Sequence, residues 1–595
     1  MTDTFVDGEV QRIQAMLYAK ASNEPETRFK RLYKYLTKPE WVEAAIERVL
    51  RNRGSRTAGI DGKTRSAYLD EDKRAELAKS ILDALETQTY SPRPVRRVYI
   101  PKPNGKKRPL GIPTIKDRVV QEMVRMLIEP IFEATFLPCS YGFRPNRCPW
   151  DALAEAYQFL LPHCHYYIVI EGDIENCFGA INHGVLMRQL RRRILDKRLL
   201  TLIWKMLRAG VMEDLQYAET IKGTPQGGLV SPLLANVYMH KLDEWMHQRF
   251  HAISGHERRK RQREGGIGFA RYIRYADDFI VMMRDSEKAE KLKRELTDFI
   301  RQELKMTLSE EKTTIVHAKQ GFDFLGVRTF IGAQRSNPDK ILPYQVPARK
   351  SVKAYRQKVK ELTHPNLDYL PAGERIRALN WLIAGWANYH RWGNAKQTFS
   401  SLSSWTTVKV YAMLRRYTPA GKRAVYEKHF RPVSECSNLR RWKRYTNWLT
   451  PSVEIGEGIR LGLLPMDVIS TAYQWRFRGN KMPPAYRLLD DETSWNERKT
   501  DFYTDVEAIE DTRLGQISRE DAGKYSLVYF HNREVAFLRD RYTCTVCGYK
   551  SQRRKGDVND LEVHHIDPEG GCGVDNLRTV CLPCHHRLTA IRRAD

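Results

Sequence analysis

The sequence predicts a multidomain α+β protein, and three observations support that fold class. The chain has 595 residues, several times the roughly 150 residues of an average domain. Segments whose apolar residues recur at helical spacing alternate with short β-rich apolar runs. Five of the ten cysteines lie between Cys544 and Cys584, which indicates a small metal-binding module at the C-terminus.

The region up to about residue 340 is predicted to be a helical extension followed by a sheet backed by helices. Residues 1–85 have apolar residues at helical spacing, for example from Trp41 to Leu50. The expected strands are 95–100, 166–170 and 274–282, and the expected helices are 119–132 and 232–250.

Beyond Pro343 the strand pattern fades, and we expect a domain of long basic helices. The predicted helices are 349–362, 376–392 and 405–416. Trp381 and Trp386 in the second helix are assigned to the core of this domain. Residues 451–530 mix Gly, Pro and acidic residues, a composition that indicates a linker or a small, weakly patterned domain.

The charge balance indicates a polyanionic partner. The chain has 100 Lys and Arg against 72 Asp and Glu, a formal net charge of +28. The basic clusters lie at 93–108, 188–198, 258–263, 349–360, 415–423 and 440–444. Nucleic acid is the expected partner, because each neutralised phosphate releases counterions.

The composition argues against a disordered chain and against a membrane protein. Hydrophobic residues make up 42% of the sequence, too many for a disordered segment. No run approaches the roughly 18 to 20 apolar residues of a membrane span. Asp3, Asp7 and Glu9 make the start unlike a signal or transit peptide, so we expect a cytoplasmic protein without a membrane partner.

Two acidic elements predict a divalent-metal site. Asp277 and Asp278 lie between apolar flanks, the pattern of a tight hairpin tip between two buried strands. Asp173 ends another apolar run. Buried carboxylates are costly unless a cation neutralises them, so neighbouring strands would bring the three together around two Mg²⁺ ions. Two such ions serve in-line nucleotidyl transfer.

A Gly- and Pro-rich loop at 223–232 lies between the two acidic elements and opens a helix. Its small residues allow a base pair or a phosphate to approach the backbone closely. An Asp-Asp pair alone is most often a surface turn. The apolar flanks, Asp173 and this loop, in this order, favour the metal site over a turn.

The C-terminal cysteines form two CxxC pairs, with 33 residues between Cys547 and Cys581. The four thiolates of Cys544, Cys547, Cys581 and Cys584 predict a tetrahedral, structural Zn²⁺ site. The adjacent His564 and His565 lie between the two pairs. A pair of histidines alone would more often be structural than catalytic.

These motifs resemble those of reverse transcriptases, and the whole chain resembles a group II intron-encoded protein. The matching segments are Pro101 to Pro113, Ser140 to Pro145, Gly172 to His183, Gly223 to Pro232 and the YxDD motif at Tyr275 to Asp278. The resemblance implies a right-hand-like polymerase with fingers and palm, a helical thumb and maturase domain, a small DNA-binding region and a ββα-metal HNH module.

The resemblance also implies five regions with approximate boundaries. They are a helical N-terminal extension at 1–85, reverse transcriptase fingers and palm at 86–340, a thumb and maturase (X) domain at 341–450, a DNA-binding region or linker at 451–530 and an HNH endonuclease at 531–595.

Residue roles at the polymerase site follow by position from the resemblance. Asp173, Asp277 and Asp278 would hold the Mg²⁺ ions. Lys102 and Arg108 would neutralise the incoming triphosphate, Phe178 would exclude a 2′-hydroxyl, Gln226 would line the nucleotide pocket and Lys312 would donate a proton to pyrophosphate. The family usually has Asp directly after the phenylalanine, where this chain has Gly179. We expect activity to survive, because Asp173 supplies the metal ligand.

Roles in the nuclease module also follow from the resemblance. His565 would be the general base, Asn576 its orienting partner, and His564 with His585 the ligands of a catalytic divalent ion.

The function implied is that of a ribonucleoprotein enzyme acting in the bacterial-type cytoplasm. It would bind its intron lariat RNA, assist splicing, nick one strand of a DNA target and reverse transcribe the intron from the new 3′ end with dNTPs, as in retrohoming. Two alternatives remain: a splicing cofactor without mobility, and a reverse transcriptase of a defence or diversification system. The sequence does not indicate the oligomeric state.

Overall fold

The computed structural model describes residues 3–101, 107–213, 216–218, 223, 228–334, 336–418, 420–442, 445–456, 459–472, 475, 486, 543–549, 561–565, 577–581 and 583–585. The predicted site residues Lys102, Gln226 and Asn576 lie outside the described residues. The chain divides into two compact units. The first comprises Met1–Leu325, Thr329–Tyr344 and Trp475–Asp491, and the second Gly326–Arg328, Gln345–Gln474 and Glu492–Asp595.

Helices and two sheets make up most of the first unit. The helices are α1 Asp3–Asn23, α2 Pro39–Arg51, α3 Glu71–Glu86, α4 Ile115–Glu133, α5 Pro149–Phe159, α6 Cys177–Ala180, α7 His183–Arg191, α8 Lys197–Leu207, α9 Ser231–Met246, α10 Gly255–Arg263 and α11 Ala289–Glu303. The strands are β1 Val95–Pro101, β2 Lys107–Ile112, β3 Ile168–Asp173, β4 Val211–Glu213, β5 Gln216–Ala218, β6 Ala270–Tyr275, β7 Asp278–Met283 and β8 Thr314–His317.

The remaining elements follow β8 along the chain. The strands are β9 Phe322–Phe324, β10 Val327–Gln334, β11 Asn337–Pro347, β12 Phe430–Pro432, β13 Leu449–Gly456, β14 Ile459–Gly462, β15 Leu561–His565 and β16 Leu577–Cys581. The helices are α12 Arg349–Leu362, α13 Ala372–His390, α14 Lys396–Tyr417 and α15 Lys422–His429.

Helix α4 is the central helix of the first unit. Thr114 caps its N-terminus by accepting a hydrogen bond from the Asp117 backbone N–H at 3.1 Å. Almost every α4 side chain is buried, and the Trp41 indole of α2 donates to the Met123 carbonyl at 3.0 Å. The predicted helix at 119–132 is thus confirmed, and α4 packs the helical extension onto the rest of the unit.

The four-stranded sheet β6–β7–β3–β8 has antiparallel neighbours throughout. Buried apolar residues of α11, among them Leu296 and Ile300, belong to the same hydrophobic core as Ile170 of β3 and Val281 of β7. A second sheet has the order β2–β1–β4–β5. The predicted strands at 95–100, 166–170 and 274–282 are confirmed, the last as a hairpin. The expected sheet backed by helices is therefore present.

Helices α12, α13 and α14 share the core of the second unit, as predicted. The expectation that strands end near Pro343 is wrong, because β11 runs to Pro347 and β12–β13–β14 form a further sheet. Val453 and Leu461 of that sheet belong to the same core as the helices. Residues 450–453 of β13 are all buried, so this strand lacks the alternation of buried and exposed residues that identifies a strand in the sequence.

The assignment of Trp381 to the core is also wrong, since 44% of this side chain is exposed. Trp386 packs against the core, partly buried, and its indole donates to the Ser351 hydroxyl at 3.1 Å. A helix with apolar residues on several faces leaves the buried face undefined by sequence alone. None of the helices in the described part of the chain is both long and apolar enough to cross a membrane.

Candidate active site and metal centre

The three predicted carboxylates lie at one end of the four-stranded sheet. Asp173 is the last residue of β3 and pairs in register with Asp278, the first residue of β7. Tyr275 of β6 pairs with the same Asp278, so Ala276 and Asp277 form the two-residue turn of the hairpin. The strand pairing therefore brings together two carboxylates that are 105 residues apart in sequence and places the third in the adjacent turn.

The electrostatics of this end favour a bound cation. The pKa of Asp278 is raised to about 6. The main cause is partial loss of hydration, although the residue still reaches solvent, and the negative charges of Asp277 and Asp173 raise the pKa further. The Lys312 ammonium donates a hydrogen bond to Asp173 Oδ2 at 2.6 Å. This bond, more than its other surroundings, raises the pKa of Lys312. The three carboxylates are close enough for their charges to act on one another, and carboxylate oxygens are the ligands that Mg²⁺ prefers.

The guanidinium of Arg274 holds the hairpin turn through a hydrogen bond to the Ala276 carbonyl. Arg274 and Asp243 are both fully buried, and Nε and Nη2 donate to the two Asp243 oxygens at 2.7 and 2.6 Å. Nη1 donates to Asn236 Oδ1 at 2.9 Å and to the Ala276 carbonyl at 2.8 Å, and Nη2 donates to Ser140 Oγ at 2.7 Å. Every N–H of the guanidinium therefore has an acceptor, and one acceptor is the turn itself.

The segment at 139–142 forms the second support of the turn. The Tyr141 N–H donates to the Arg274 carbonyl at 2.8 Å, and the Asn236 amide donates to the Gly142 carbonyl at 2.8 Å. A Cβ on Gly142 would lie 2.3 Å from the Ala276 nitrogen and 2.9 Å from the Tyr275 carbonyl carbon. Ala276 has a φ of +58°, in the left-handed region. Glycine at 142 thus permits the close contact that supports a constrained turn.

Gly142→Ala is expected to slow nucleotide incorporation by about 100-fold, because the new methyl group must displace the backbone that holds Asp277, and misplacement by about 1 Å has that effect. The measurement is the rate of single-nucleotide addition to a primed RNA template. The control is Gly385→Ala in α13, where an added Cβ meets no atom within 4 Å. A Gly142→Ala protein with the wild-type rate would show that the turn tolerates displacement.

Glu155 of α5 anchors the same segment through Tyr141, whose hydroxyl donates to Glu155 Oε2 at 2.7 Å. Burial raises the pKa of Glu155 to about 7, and the Tyr141 hydrogen bond and the charges of Arg271 and Arg147 offset this only in part. The folded protein therefore holds a proton on Glu155 between about pH 4.5 and 7, where the unfolded chain has lost it. The free energy of unfolding falls as pH rises through that window.

Glu155→Gln removes this titration and keeps an acceptor for Tyr141. We expect the wild type to lose on the order of 2 kcal/mol of stability relative to Glu155→Gln between about pH 5 and pH 8. The melting temperatures of the two proteins across this range give the comparison. Glu86→Gln, at an exposed position of α3, is the control and should follow the wild type. Parallel profiles for wild type and Glu155→Gln would contradict the assigned pKa.

Phe178 and Gly179 lie in α6, directly after β3. Phe178 is buried, with 8% of its surface exposed. Gly223, at the start of the predicted loop, has a φ of +93°, and its missing Cβ would lie 2.9 Å from the Gly179 Cα. Gly223 also donates to the Ile181 carbonyl at 2.8 Å, and His183 Nε2 lies 2.7 Å from the Gly223 carbonyl oxygen. Glycines at 179 and 223 thus let two backbone segments touch.

The neighbouring Asn176 side chain gives a local reason for glycine at position 179, where the family usually has Asp. A Cβ on Gly179 would lie 2.3 Å from the side-chain nitrogen of Asn176, so a larger residue would require Asn176 to move. Of the other predicted nucleotide-binding residues, Arg108 lies in β2, paired with Ile100.

The four predicted cysteines converge into one cluster. The Sγ atoms of Cys544, Cys547, Cys581 and Cys584 lie within 4.8 Å of one another, and those of Cys547 and Cys581 are 3.6 Å apart. Tetrahedral zinc with Zn–S bonds of about 2.3 Å requires S···S separations of roughly 3.8 Å. All four cysteines are free of disulfides. The donor set and its spacing therefore fit Zn²⁺.

Backbone structure holds the cluster in place. The Cys544 N–H donates to the Tyr549 carbonyl at 2.7 Å and the Gly548 N–H to the Cys544 carbonyl at 2.9 Å, forming a tight turn in which Gly548 has a φ of +74°. The Thr545 N–H donates to the Thr579 carbonyl of β16 at 2.9 Å. This bond joins the first CxxC pair to the strand that ends at Cys581.

The predicted nuclease histidines lie on and beside the same small sheet. β15 and β16 are antiparallel, with His564 opposite Arg578 and His565 opposite Leu577. His585 follows Cys584 directly in a short helical turn at 583–585. The described elements beside the cysteine cluster are thus two antiparallel strands and one helical turn.

Sequence reasoning did not identify the residues that support the hairpin turn. Arg274 lies in β6, Asn236 and Asp243 lie in α9, and Ser140 and Gly142 lie in the segment at 139–142, so the support comes from three distant parts of the chain. One signal was present: Arg274 directly precedes the predicted hairpin tip in a strand expected to be buried, and a buried cation requires a buried carboxylate.

Comparison with known proteins agrees with this geometry. Residues 100–329 match the family of reverse transcriptases (RNA-dependent DNA polymerases), residues 352–431 the group II intron maturase-specific domain and residues 544–590 the HNH endonucleases. The carboxylate hairpin lies in the first match, helices α12 to α15 in the second and the cysteine cluster in the third. The fold and the site thus define a reverse transcriptase joined to a maturase-specific domain and an HNH endonuclease domain.

Individual relatives are consistent with this class. The chain is 36% identical over 339 residues to Protein YkfC of Escherichia coli K12, which covers 54% of this chain and 88% of that protein. It is 37% identical over 344 residues to the group II intron-encoded protein LtrA of Lactococcus lactis, which covers 50% of this chain and 56% of LtrA. The mitochondrial nuclear intron maturase 2 of Arabidopsis thaliana is 25% identical over 273 residues, 35% of this chain and 37% of that protein.

The chain belongs to the family of group II intron-encoded proteins, as a reverse transcriptase and maturase with an HNH endonuclease domain. The prediction made from the motifs is confirmed at this level.

Proposed function

We propose that the protein binds its intron RNA, assists its splicing, nicks one strand of a DNA target and copies the intron RNA into DNA from the nicked 3′ end. The single observation that best supports this is the register that sets Asp173 opposite Asp278, with Asp277 in the adjoining turn. The presence of maturase-specific and HNH matches in the same chain supports the joining of these activities.

At the polymerase site, Asp173, Asp277 and Asp278 would hold Mg²⁺, two ions in the proposed arrangement. Mg²⁺ supplies activation of the primer hydroxyl and stabilisation of the leaving pyrophosphate. Lys312 donates a hydrogen bond to Asp173 at 2.6 Å and, in this proposal, would donate a proton to the leaving group. Arg274 would keep the turn that carries Asp277 in place before substrate binds.

The nucleotide contacts are proposed from position in the reverse transcriptase motifs. Lys102 and Arg108 would neutralise the triphosphate, since two cations facing a polyphosphate stabilise its charge. Phe178, buried directly after β3, would exclude a 2′-hydroxyl by steric contact. Gln226 would line the pocket. In the same proposal, residues 86–340 correspond to fingers and palm, and the helices beyond them to a thumb.

At the nuclease module, the four cysteines would hold a structural Zn²⁺ that keeps the small sheet folded. His565 would deprotonate water, with Asn576 orienting its ring, and His564 with His585 would hold a second divalent ion. That ion supplies stabilisation of the leaving oxygen. The DNA-binding region or linker at 451–530 would contribute a minor share of target recognition, because base pairing with the intron RNA reads most of the target.

A nicking and extension assay tests this proposal. Ribonucleoprotein particles of the full chain and its intron RNA are incubated with duplex DNA that carries the joined flanking sequences. We expect His565→Ala to abolish nicking while extension from a preformed primer persists. Asp277→Ala/Asp278→Ala should show the reverse, with nicking but no cDNA. Nicking by His565→Ala at the wild-type rate would contradict the nuclease assignment.

The two alternatives predict different results in the same assay. A splicing cofactor without mobility would promote splicing of the intron at low Mg²⁺ but neither nick nor extend. A reverse transcriptase of a defence or diversification system would extend primers without stimulating splicing. The maturase-specific match at 352–431 and the HNH match at 544–590 favour the intron-encoded function over both.

A further inference from the structure

A groove lined by cations runs between α12 and α14 of the second unit. Its volume is about 650 Å³. Arg349, Lys353, Arg356 and Lys360 of α12 line one wall. Their spacing of three or four residues puts them on one helical face, as a stripe about 16 Å long. No carboxylate is among the lining residues in the described part of the chain, so the potential in the groove is positive.

The opposite wall offers hydrogen-bonding groups without charge. Thr398 and Ser401 of α14 line it, and Trp405 lies at one end. The Arg356 guanidinium is 5.5 Å from the centroid of the Trp405 ring. Arg356 Nε is buried without a hydrogen-bond partner among the described residues. A buried N–H donor without a partner is costly, and an acceptor on a ligand in the groove would satisfy it.

The two walls are held together by the core of the unit. The Tyr355 and Thr406 hydroxyls, both buried, hydrogen-bond to each other at 3.0 Å between α12 and α14. Val359 and Leu402 are fully buried in the same core. The width of the groove is thus fixed by packing, and a ligand would meet a preformed site.

We propose that this groove binds a single strand of RNA, with its phosphates along α12 and its 2′-hydroxyls toward α14. One stripe of cations suits one line of phosphates, and at about 3.4 Å per nucleotide along a strand axis it spans about five. The 2′-hydroxyl both donates and accepts hydrogen bonds, which matches the hydroxyl groups of Thr398 and Ser401. The inference rests on the proposed RNA binding of the maturase-specific region.

A matched pair of double variants tests the phosphate contacts. Lys353→Gln/Lys360→Gln removes two exposed cations from the groove, and Lys350→Gln/Lys358→Gln removes two exposed cations from the rest of the same helix. The full chain is titrated into a fluorescein-labelled single-stranded RNA over a series of salt concentrations. We expect the groove pair to lower the slope of log K against log salt by about 1.4, since each phosphate contact on a single strand contributes about 0.7.

The Lys350→Gln/Lys358→Gln protein should keep the wild-type slope. Equal slopes for the two double variants would overturn the proposal. Because all four lysines are exposed, both proteins should melt at the wild-type temperature. A difference in salt slope between them would then come from RNA contacts and not from a loss of folding.

A second comparison tests the choice of RNA. The wild type should bind single-stranded RNA more tightly than DNA of the same sequence, and Thr398→Val/Ser401→Ala should bind the two equally. Equal binding of RNA and DNA by the wild type, or tighter binding of duplex RNA, would contradict the proposed orientation. These titrations contain neither dNTPs nor Mg²⁺, so an inactive polymerase or nuclease would leave the result unchanged. Failure of the proposed enzymatic function can therefore be told apart from failure of RNA binding in this groove.

Discussion

Asp278→Asn is expected to lower the rate of nucleotide addition by about 1,000-fold or more, and Asp173→Asn and Asp277→Asn to have effects of similar size. A bound metal contributes several kcal/mol to transition-state stabilisation, and each 1.36 kcal/mol is about tenfold in rate. Burial raises the pKa of Asp278 first, and the charges of Asp277 and Asp173 raise it further. Each Asn variant therefore also removes negative charge that attracts Mg²⁺ to this end of the sheet. Single-turnover addition of one dNTP to a primed RNA template measures the effect.

Glu175→Gln is the matched control, because Glu175 is an exposed carboxylate two residues beyond Asp173. It should retain the wild-type rate. If Asp278→Asn retained more than about a tenth of the wild-type rate, the loss would be too small for a metal ligand, and the assignment would be withdrawn.

Removal of the zinc is expected to have the second large effect. Cys581→Ser should reduce the bound zinc to a trace and abolish DNA nicking, while primer extension on a preformed primer persists. Structural Zn²⁺ contributes about 10–16 kcal/mol to the folding of small metal-binding domains. The described strands of this module, β15 and β16, form a sheet of only two strands, which is marginally stable alone. Zinc content by mass spectrometry and nicking of duplex DNA are the measurements.

Cys572→Ser is the control within the same module, because Cys572 belongs to neither CxxC pair. It should keep one zinc per chain and its nicking activity. A Cys581→Ser protein that still bound one equivalent of zinc would exclude the four-cysteine site.

The sequence predicted which of these residues lie near one another, because metal-binding residues occur in short motifs. Asp277 and Asp278 between apolar flanks require a hairpin, and Asp173 at a strand end requires a neighbour in the same sheet. The CxxC spacing likewise restricts where the Cys544 and Cys581 thiolates can lie. In each case local geometry and the cost of burying charge together left few arrangements.

The residues that support the site were not predictable in the same way. Arg274 is satisfied by acceptors from two distant segments, α9 and the segment at 139–142, and only the tertiary structure shows which carboxylate neutralises it. Gly142 contacts the turn through backbone atoms, and many other glycines in the sequence look the same. The exposure of Trp381 depends on which face of α13 packs, which a nearly uniform apolar pattern does not define.

The domain boundaries predicted from the resemblance stay predictions. Val453 and Leu461, on the C-terminal side of the expected boundary at residue 451, pack in the core of the helical unit. Trp475 donates to Asp151 Oδ1 at 3.0 Å and Tyr486 donates to Glu129 Oε2 at 2.6 Å, both within the first unit. The glycine, proline and acidic residues of this stretch indicated a linker, so the sequence did not predict its strands or the contacts of Trp475 and Tyr486.

The central claim is that the end of β3 and the turn between β6 and β7 form one divalent-metal site. Iron-directed cleavage tests it most directly, with Fe²⁺ and ascorbate replacing Mg²⁺ so that hydroxyl radicals cut the backbone beside the bound ion. We predict cuts near both Asp173 and Asp277 in the wild type, and loss of both sets of cuts in Asp173→Asn. Cuts near Asp277 that persist unchanged in Asp173→Asn would show that the two elements do not share an ion and would contradict the account.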